Sequence, residues 1–113
     1  MTFIFLSALD GVPDGGAAGF ELAVEDDTVP LLALRACDTV RVFHNVCPHA
    51  ARRLEVAPGR FIVDAGTLVC AAHGACFTIP GGDCVAGPCR GQSLREVPSE
   101  VRGDQLWVDS AAL

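Results

Sequence analysis

Two short cysteine–histidine pairs constrain this chain more than anything else in it. Residues 47–55 read CPHAARRLE and residues 70–77 read CAAHGACF, so Cys47-x-His49 is followed, after twenty intervening residues, by Cys70-x-x-His73. Each pair sits where an apolar run gives way to a turn, and each can aim two side chains at one ion or cluster. A fold that uses all four must set two such turns side by side, as a sheet does when it aligns strand ends. Gly74, directly after His73, is expected to let the backbone turn tightly where a Cβ would crowd the site.

The rest of the sequence supplies strands. GFELAV (19–24) and VPLLAL (29–34) are apolar runs separated by the acidic turn EDDT, the pattern of a hairpin. TVRVFH (39–44) alternates Val40, Arg41 and Val42 as a half-buried strand does. TLVC (67–70), CFTI (76–79), DCVAG (83–87), SLREV (93–97) and QLWVD (105–109) are short, apolar and bounded by Gly, Pro or Asp. The turns DAG (64–66), PGGD (80–83) and RGD (102–104) offer residues that tolerate positive φ. Many short strands at this spacing predict an all-β antiparallel sandwich or barrel. No segment makes a strong case for a helix.

Composition narrows the function. A length of 113 residues predicts one domain, 1–113. Half the residues are hydrophobic and 19% are charged, which excludes a disordered tail. All eight basic residues are arginines and the formal charge is −6, so a nucleic-acid partner is not expected. The apolar run in MTFIFLSALDG is too short for a signal peptide or a membrane span, and a soluble, cytoplasmic protein with no membrane partner is the expectation. In that setting the six cysteines are expected to be thiols rather than three disulfides.

Thiolates neutralise the charge of iron, whereas neutral imidazoles leave it easier to reduce. Replacing two thiolates by two histidines on one iron of a [2Fe–2S] cluster raises its potential. Structural zinc takes the same Cys2His2 set, although the C-x-H spacing is shorter than zinc sites usually show.

With these motifs the sequence resembles the Rieske ferredoxins. CPHAARRLE resembles the family's first cluster loop, CAAHGACF its second, GPC (87–89) its proline-bearing cover and SLREVPSEVRGDQLWV its closing strands. The resemblance implies a β-sandwich with a small cluster-binding subdomain whose loops lie at about 45–90. It implies one [2Fe–2S] cluster per chain, with Cys47 and Cys70 on the inner iron and His49 and His73 on the outer. The implied role is a one-electron carrier between a flavin-dependent ferredoxin reductase and a terminal oxygenase or reductase. A variant is the Rieske-like small subunit of a nitrite reductase; outside redox chemistry, the rival is a zinc-binding interaction module. The chain is not expected to be an oxygenase itself: once His49 and His73 are used, only His44 remains, one histidine too few for a second iron site.

Among the other candidates, His44 is expected to end a strand, Trp107 to lie in the core, and Pro88 to hold the cover rigid. Cys76, Cys84 and Cys89 are expected to be small buried hydrophobes, and Cys37 to have no role beyond packing or surface chance. Where high-potential relatives carry a disulfide between the loops, this chain has Arg52 and Ala72; Ala51 stands where the family often has glycine. Where those relatives place serine and tyrosine hydroxyls on the cluster sulfurs, it has Ala75 and Phe77. Such hydrogen bonds stabilise the added electron. A midpoint near the low Rieske limit of about −150 mV is therefore expected by voltammetry. Ala75→Ser combined with Phe77→Tyr should raise it, and a wild-type value above about +150 mV would contradict the argument.

Overall fold

The run PLLAL, residues 30–34, is apolar at every position, and a strand of that kind must be covered on both faces. In the computed structural model, which describes residues 2–48, 53–57, 60–70 and 74–113, it lies at the centre of the molecule. Eleven strands are present among the described residues: β1 (Phe3–Ala8), β2 (Ala17–Val24), β3 (Asp27–Ala36), β4 (Thr39–His44), β5 (Ile62–Asp64), β6 (Thr67–Val69), β7 (Cys76–Thr78), β8 (Cys84–Ala86), β9 (Glu96–Val97), β10 (Ser99–Arg102) and β11 (Gln105–Asp109). They form three antiparallel sheets, ordered β1-β11-β10, β2-β3-β4-β9 and β5-β6-β7-β8.

The middle sheet separates two cores. Successive strand residues point to opposite faces. Leu31 and Ala33 of β3, with Val40 and Val42 of β4, therefore meet Leu106 and Val108 of β11 on one side. Leu32 and Leu34, with Phe43, meet Leu68 of β6 and Phe77 of β7 on the other. All of these except Val40 are almost completely buried. The second core is the one into which the candidate loops run.

The predicted hairpin exists and is longer than expected. Val24 pairs with Asp27, so the turn contracts to Glu25 and Asp26, with Glu25 at φ 55°. Asp27 and Thr28 are thus strand rather than turn. The amino-terminal run, treated above only as too short for export, forms β1 against β11. The predicted strand at 93–97 shrinks to β9, and Ser93 instead makes a single bridge to Asp83. Helical structure among the described residues is limited to two 3-10 turns, Leu9–Gly11 and Ser110–Ala112. None of the described helices is long and apolar enough to cross a membrane.

Trp107 corrects the reading of it as core. Since Leu106 and Val108 point inward, residue 107 must point out, and it is half-buried on the outer face of the first sheet. Its ring meets Phe5 edge-on at 5.9 Å and lies under the Arg102 guanidinium at 4.7 Å.

If both faces of β3 are structural, Leu31→Ala and Leu32→Ala should each lower unfolding free energy by about 2–5 kcal/mol in denaturant titrations. Val63→Ala, on exposed β5, should change it by less than about 0.5 kcal/mol.

Candidate metal centre

β4 carries the chain to the first loop, and Asn45 closes that loop at its base. Its backbone N–H donates to the Pro30 carbonyl (2.9 Å). Its side-chain oxygen accepts from the N–H of Leu54 at 2.9 Å, so one buried amide ties the two stems of the loop together. Cys47 follows at 1% exposure. At the far stem, Arg53 Nη1 contacts Glu21 of β2 (2.5 Å) and Glu55 (3.4 Å). These exposed pairs add little stability but direct where the loop ends.

The second loop is closed by its own backbone. Cys70, directly after β6, donates its N–H to the Ala75 carbonyl (2.7 Å) and accepts from the N–H of Gly74 (3.0 Å). Gly74 has φ +71°, a left-handed backbone that favours glycine, and among the described residues a Cβ built there would meet nothing within 4 Å. Close approach is seen at Gly87, at φ +92°, where a Cβ would fall 2.7 Å from the Cα of Ala75. The turn carrying Gly87, Pro88 and Cys89 thus lies directly on the second loop.

Cys47 and Cys70 enter one buried cluster that also holds Leu54, Leu68, Ala75 and Phe77. Ala75 and Phe77 are fully buried and present only hydrocarbon. Cys84 and Cys89 enter the same cluster, as expected of buried hydrophobes, but they also meet each other, with sulfurs 2.7 Å apart. The C-x4-C spacing across a Gly-Pro turn was the sequence signal for that pairing. The Cys89 thiol is pushed up to about 12, first by burial, then by its hydrogen bond to Cys84 and by the nearby Cys84 and Cys47. Cys76 is half-buried, and Cys37 is exposed in the turn between β3 and β4. His44 ends β4, with Nε2 3.1 Å from the Ala112 carbonyl oxygen, as a strand-end residue should.

The other two predicted ligands, His49 and His73, lie outside the described residues, as do Ala51, Arg52 and Ala72. Among the described residues no group of three or more His, Cys, Asp or Glu side chains could hold a metal ion. The described residues thus place two buried thiols, Cys47 and Cys70, at the roots of the two loops. Soft sulfur donors in a dry, apolar setting suit an iron–sulfur cluster.

Comparison with known proteins agrees with that chemistry. The family model for the Rieske [2Fe-2S] domain matches residues 6–101. No curated protein matches by sequence. Among solved structures, the ferredoxin of carbazole 1,9a-dioxygenase from Nocardioides aromaticivorans IC177 superposes with TM-score 0.69 at 24% identity, covering 96% of this chain and 97% of that one. A chain from the complex of reduced oxygenase and oxidized ferredoxin in carbazole 1,9a-dioxygenase gives TM-score 0.71 at 20% identity over 94% and 91%. A protein described as the small subunit of an NADPH nitrite reductase gives 0.64 at 15% identity over 97% and 100%.

The role given to Asn45 can be checked directly. Asn45→Ala leaves the Leu54 N–H without its acceptor and should cost about 1–3 kcal/mol in chemical denaturation. It should also speed loss of bound iron to a chelator, whereas Ser7→Ala, on β1 in the first sheet, should leave iron retention unchanged.

Proposed function

The chain belongs to the Rieske [2Fe-2S] domain family, and from that premise we propose that it is reduced by a flavin-dependent ferredoxin reductase and oxidised by a terminal oxygenase or a similar acceptor. The family's cofactor is one [2Fe–2S] cluster per chain. Family and ferredoxin neighbours support an electron-transfer component rather than a catalytic enzyme. We read residues 1–113 as one such domain, working in the cytoplasm.

The observation that carries the reading is the burial of Cys47 and Cys70 in a single apolar core, each at the root of a closed loop. In this reading Cys47 and Cys70 hold one iron, and His49 and His73 hold the other. When bound, the cluster supplies a one-electron couple. The chain's task is to hold it and limit water around it. Asn45 and the Cys70–Ala75 backbone bond fix the loop roots, and the turn at Gly87 covers the second loop. Ala75 and Phe77 offer the cluster no hydroxyl, which favours a potential toward the low end of the family's range. The acidic balance of the chain suits a partner with a positively charged docking face.

The small-subunit reading is favoured by the nitrite reductase neighbour. Retention of all four ligand residues favours the mobile carrier, since a structural subunit has no need of them.

Protein produced with ample iron should contain two irons and two inorganic sulfides per chain and give a reduced-state electron paramagnetic resonance signal. Cys47→Ser and Cys70→Ser should abolish both, and His49→Ala or His73→Ala should do the same. One zinc with no sulfide, in a colourless protein, would overturn the cluster reading. A flavin reductase with NADH should reduce the chain by one electron; oxidation of an aromatic substrate by the isolated chain would instead sink the carrier reading.

A further inference from the structure

Cys84 and Cys89 stand apart from the ligand cysteines because the proposed electron carrier has no use for them. They begin and end a turn, Cys84 as the first residue of β8 and Cys89 just after Pro88. The chain between them, residues 85–88, is exposed throughout, yet both sulfurs are buried, at 4% and 1% residue exposure. They lie beneath a turn one residue thick. The turn is held by its own backbone: Gly91 donates to the Cys84 carbonyl (3.2 Å), Cys84 to Gln92 (2.8 Å) and Gln92 to Cys89 (2.9 Å). Those bonds fix the two Cα positions and leave the sulfurs 2.7 Å apart, so a small side-chain rotation reaches the ~2.05 Å of an S–S bond.

We propose that Cys84 and Cys89 are an oxidisable dithiol whose disulfide locks the turn over the second cluster loop, with hydrogen peroxide as the oxidant. Peroxide is small and neutral, so it can pass a thin exposed turn that would stop a bulky disulfide reagent. With Cys89 held as the thiol, the Cys84 sulfur attacks a peroxide oxygen, the O–O bond breaks, and a sulfenic acid on Cys84 and one water result. The Cys89 sulfur then displaces the sulfenic oxygen, which takes the Cys89 proton and leaves as a second water, forming the S–S bond. The two sulfurs lose two electrons, the peroxide gains them, and both thiol protons leave in the waters. A small dithiol reductant reverses the bond by exchange.

The consequence follows from Gly87. Its backbone is seated on Ala75, within the stem of the second loop, so a turn that opens uncovers that loop. With residues 84 and 89 joined, the turn cannot open by separating its ends. Oxidation should then slow release of iron. This second half rests on the cluster reading proposed above; the bond itself does not.

The test uses the full chain carrying Cys37→Ser, which removes the exposed thiol, and holds it with and without a modest excess of peroxide. After denaturation and alkylation, chymotryptic cleavage beyond Phe77 and Leu94 isolates residues 78–94, in which Cys84 and Cys89 are the only cysteines. The expected result is a peptide unalkylated and lighter than the dithiol by two hydrogens, restored by dithiothreitol. Quantitative alkylation of both cysteines, after a dose that fully oxidises Cys37 in the wild-type chain, would overturn the proposal. Iron release to a chelator should be several-fold slower in the oxidised protein and unaltered by peroxide in Cys89→Ala. An equal rate in both forms would refute the locking role. The peptide mass is read whether or not iron is bound, so failure of the cluster reading is distinguishable from failure of this one.

Discussion

Leu31 and Ala33 point to one face of the central strand, Leu32 and Leu34 to the other, and none of the four is exposed. Each buried leucine contributes about 1.5–3 kcal/mol relative to exposure. Because the two sets share one backbone, neither sheet can leave without uncovering an apolar face of β3. The sheet that carries Cys70 is attached to the molecule largely through that face, since its strands are short. The position of the candidate centre is therefore fixed by packing beneath it more than by its own hydrogen bonds.

In the proposed reading the loops need this support, because iron ligation by Cys47 and Cys70 conflicts with ordinary folding preferences. Cysteine sulfur is buried comfortably as a neutral thiol, and burial disfavours the thiolate that iron binds. A buried thiolate is stabilised when a metal supplies the compensating charge. A protein of this design folds its ligands into a dry place in which only the bound group makes the charged form favourable. The loop stems, Asn45 at one and the Cys70–Ala75 backbone bond at the other, keep Cys47 and Cys70 at the roots, where both are buried.

Much of this was legible in the sequence, for reasons that differ by element. TVRVFH and QLWVD became strands with the predicted ends because alternation and bounding turns coincide there. VPLLAL reads as one strand of a hairpin, but not as one whose two faces meet different sheets, since that depends on contacts distant in sequence. β1 is not legible because its short apolar run has no partner nearby in sequence, and the outward side of Trp107 follows only from period-two alternation with Leu106 and Val108. At the centre, the spacing singles out Cys47 and Cys70, and both are buried, which spacing does not state. The left-handed backbone of Gly74 agrees with the tight turn expected there, whereas nothing in the sequence singles out Gly87. A positive φ leaves the same mark in sequence whether the cause is torsion or close approach. The meeting of Cys84 with Cys89 needed the three-dimensional turn, because their spacing alone does not state which way the sulfurs face.

Trp107 is the single tryptophan of the chain, and it sits on the outer sheet, with the whole middle sheet between it and the core that holds Cys47 and Cys70. Its indole, packed under Arg102 and against Phe5, senses the first sheet alone. In the proposed reading the cluster belongs to the opposite side of β3, with Cys47 and Cys70. Emission from the one indole therefore reports on the layer that does not carry the proposed ligands, with no added label.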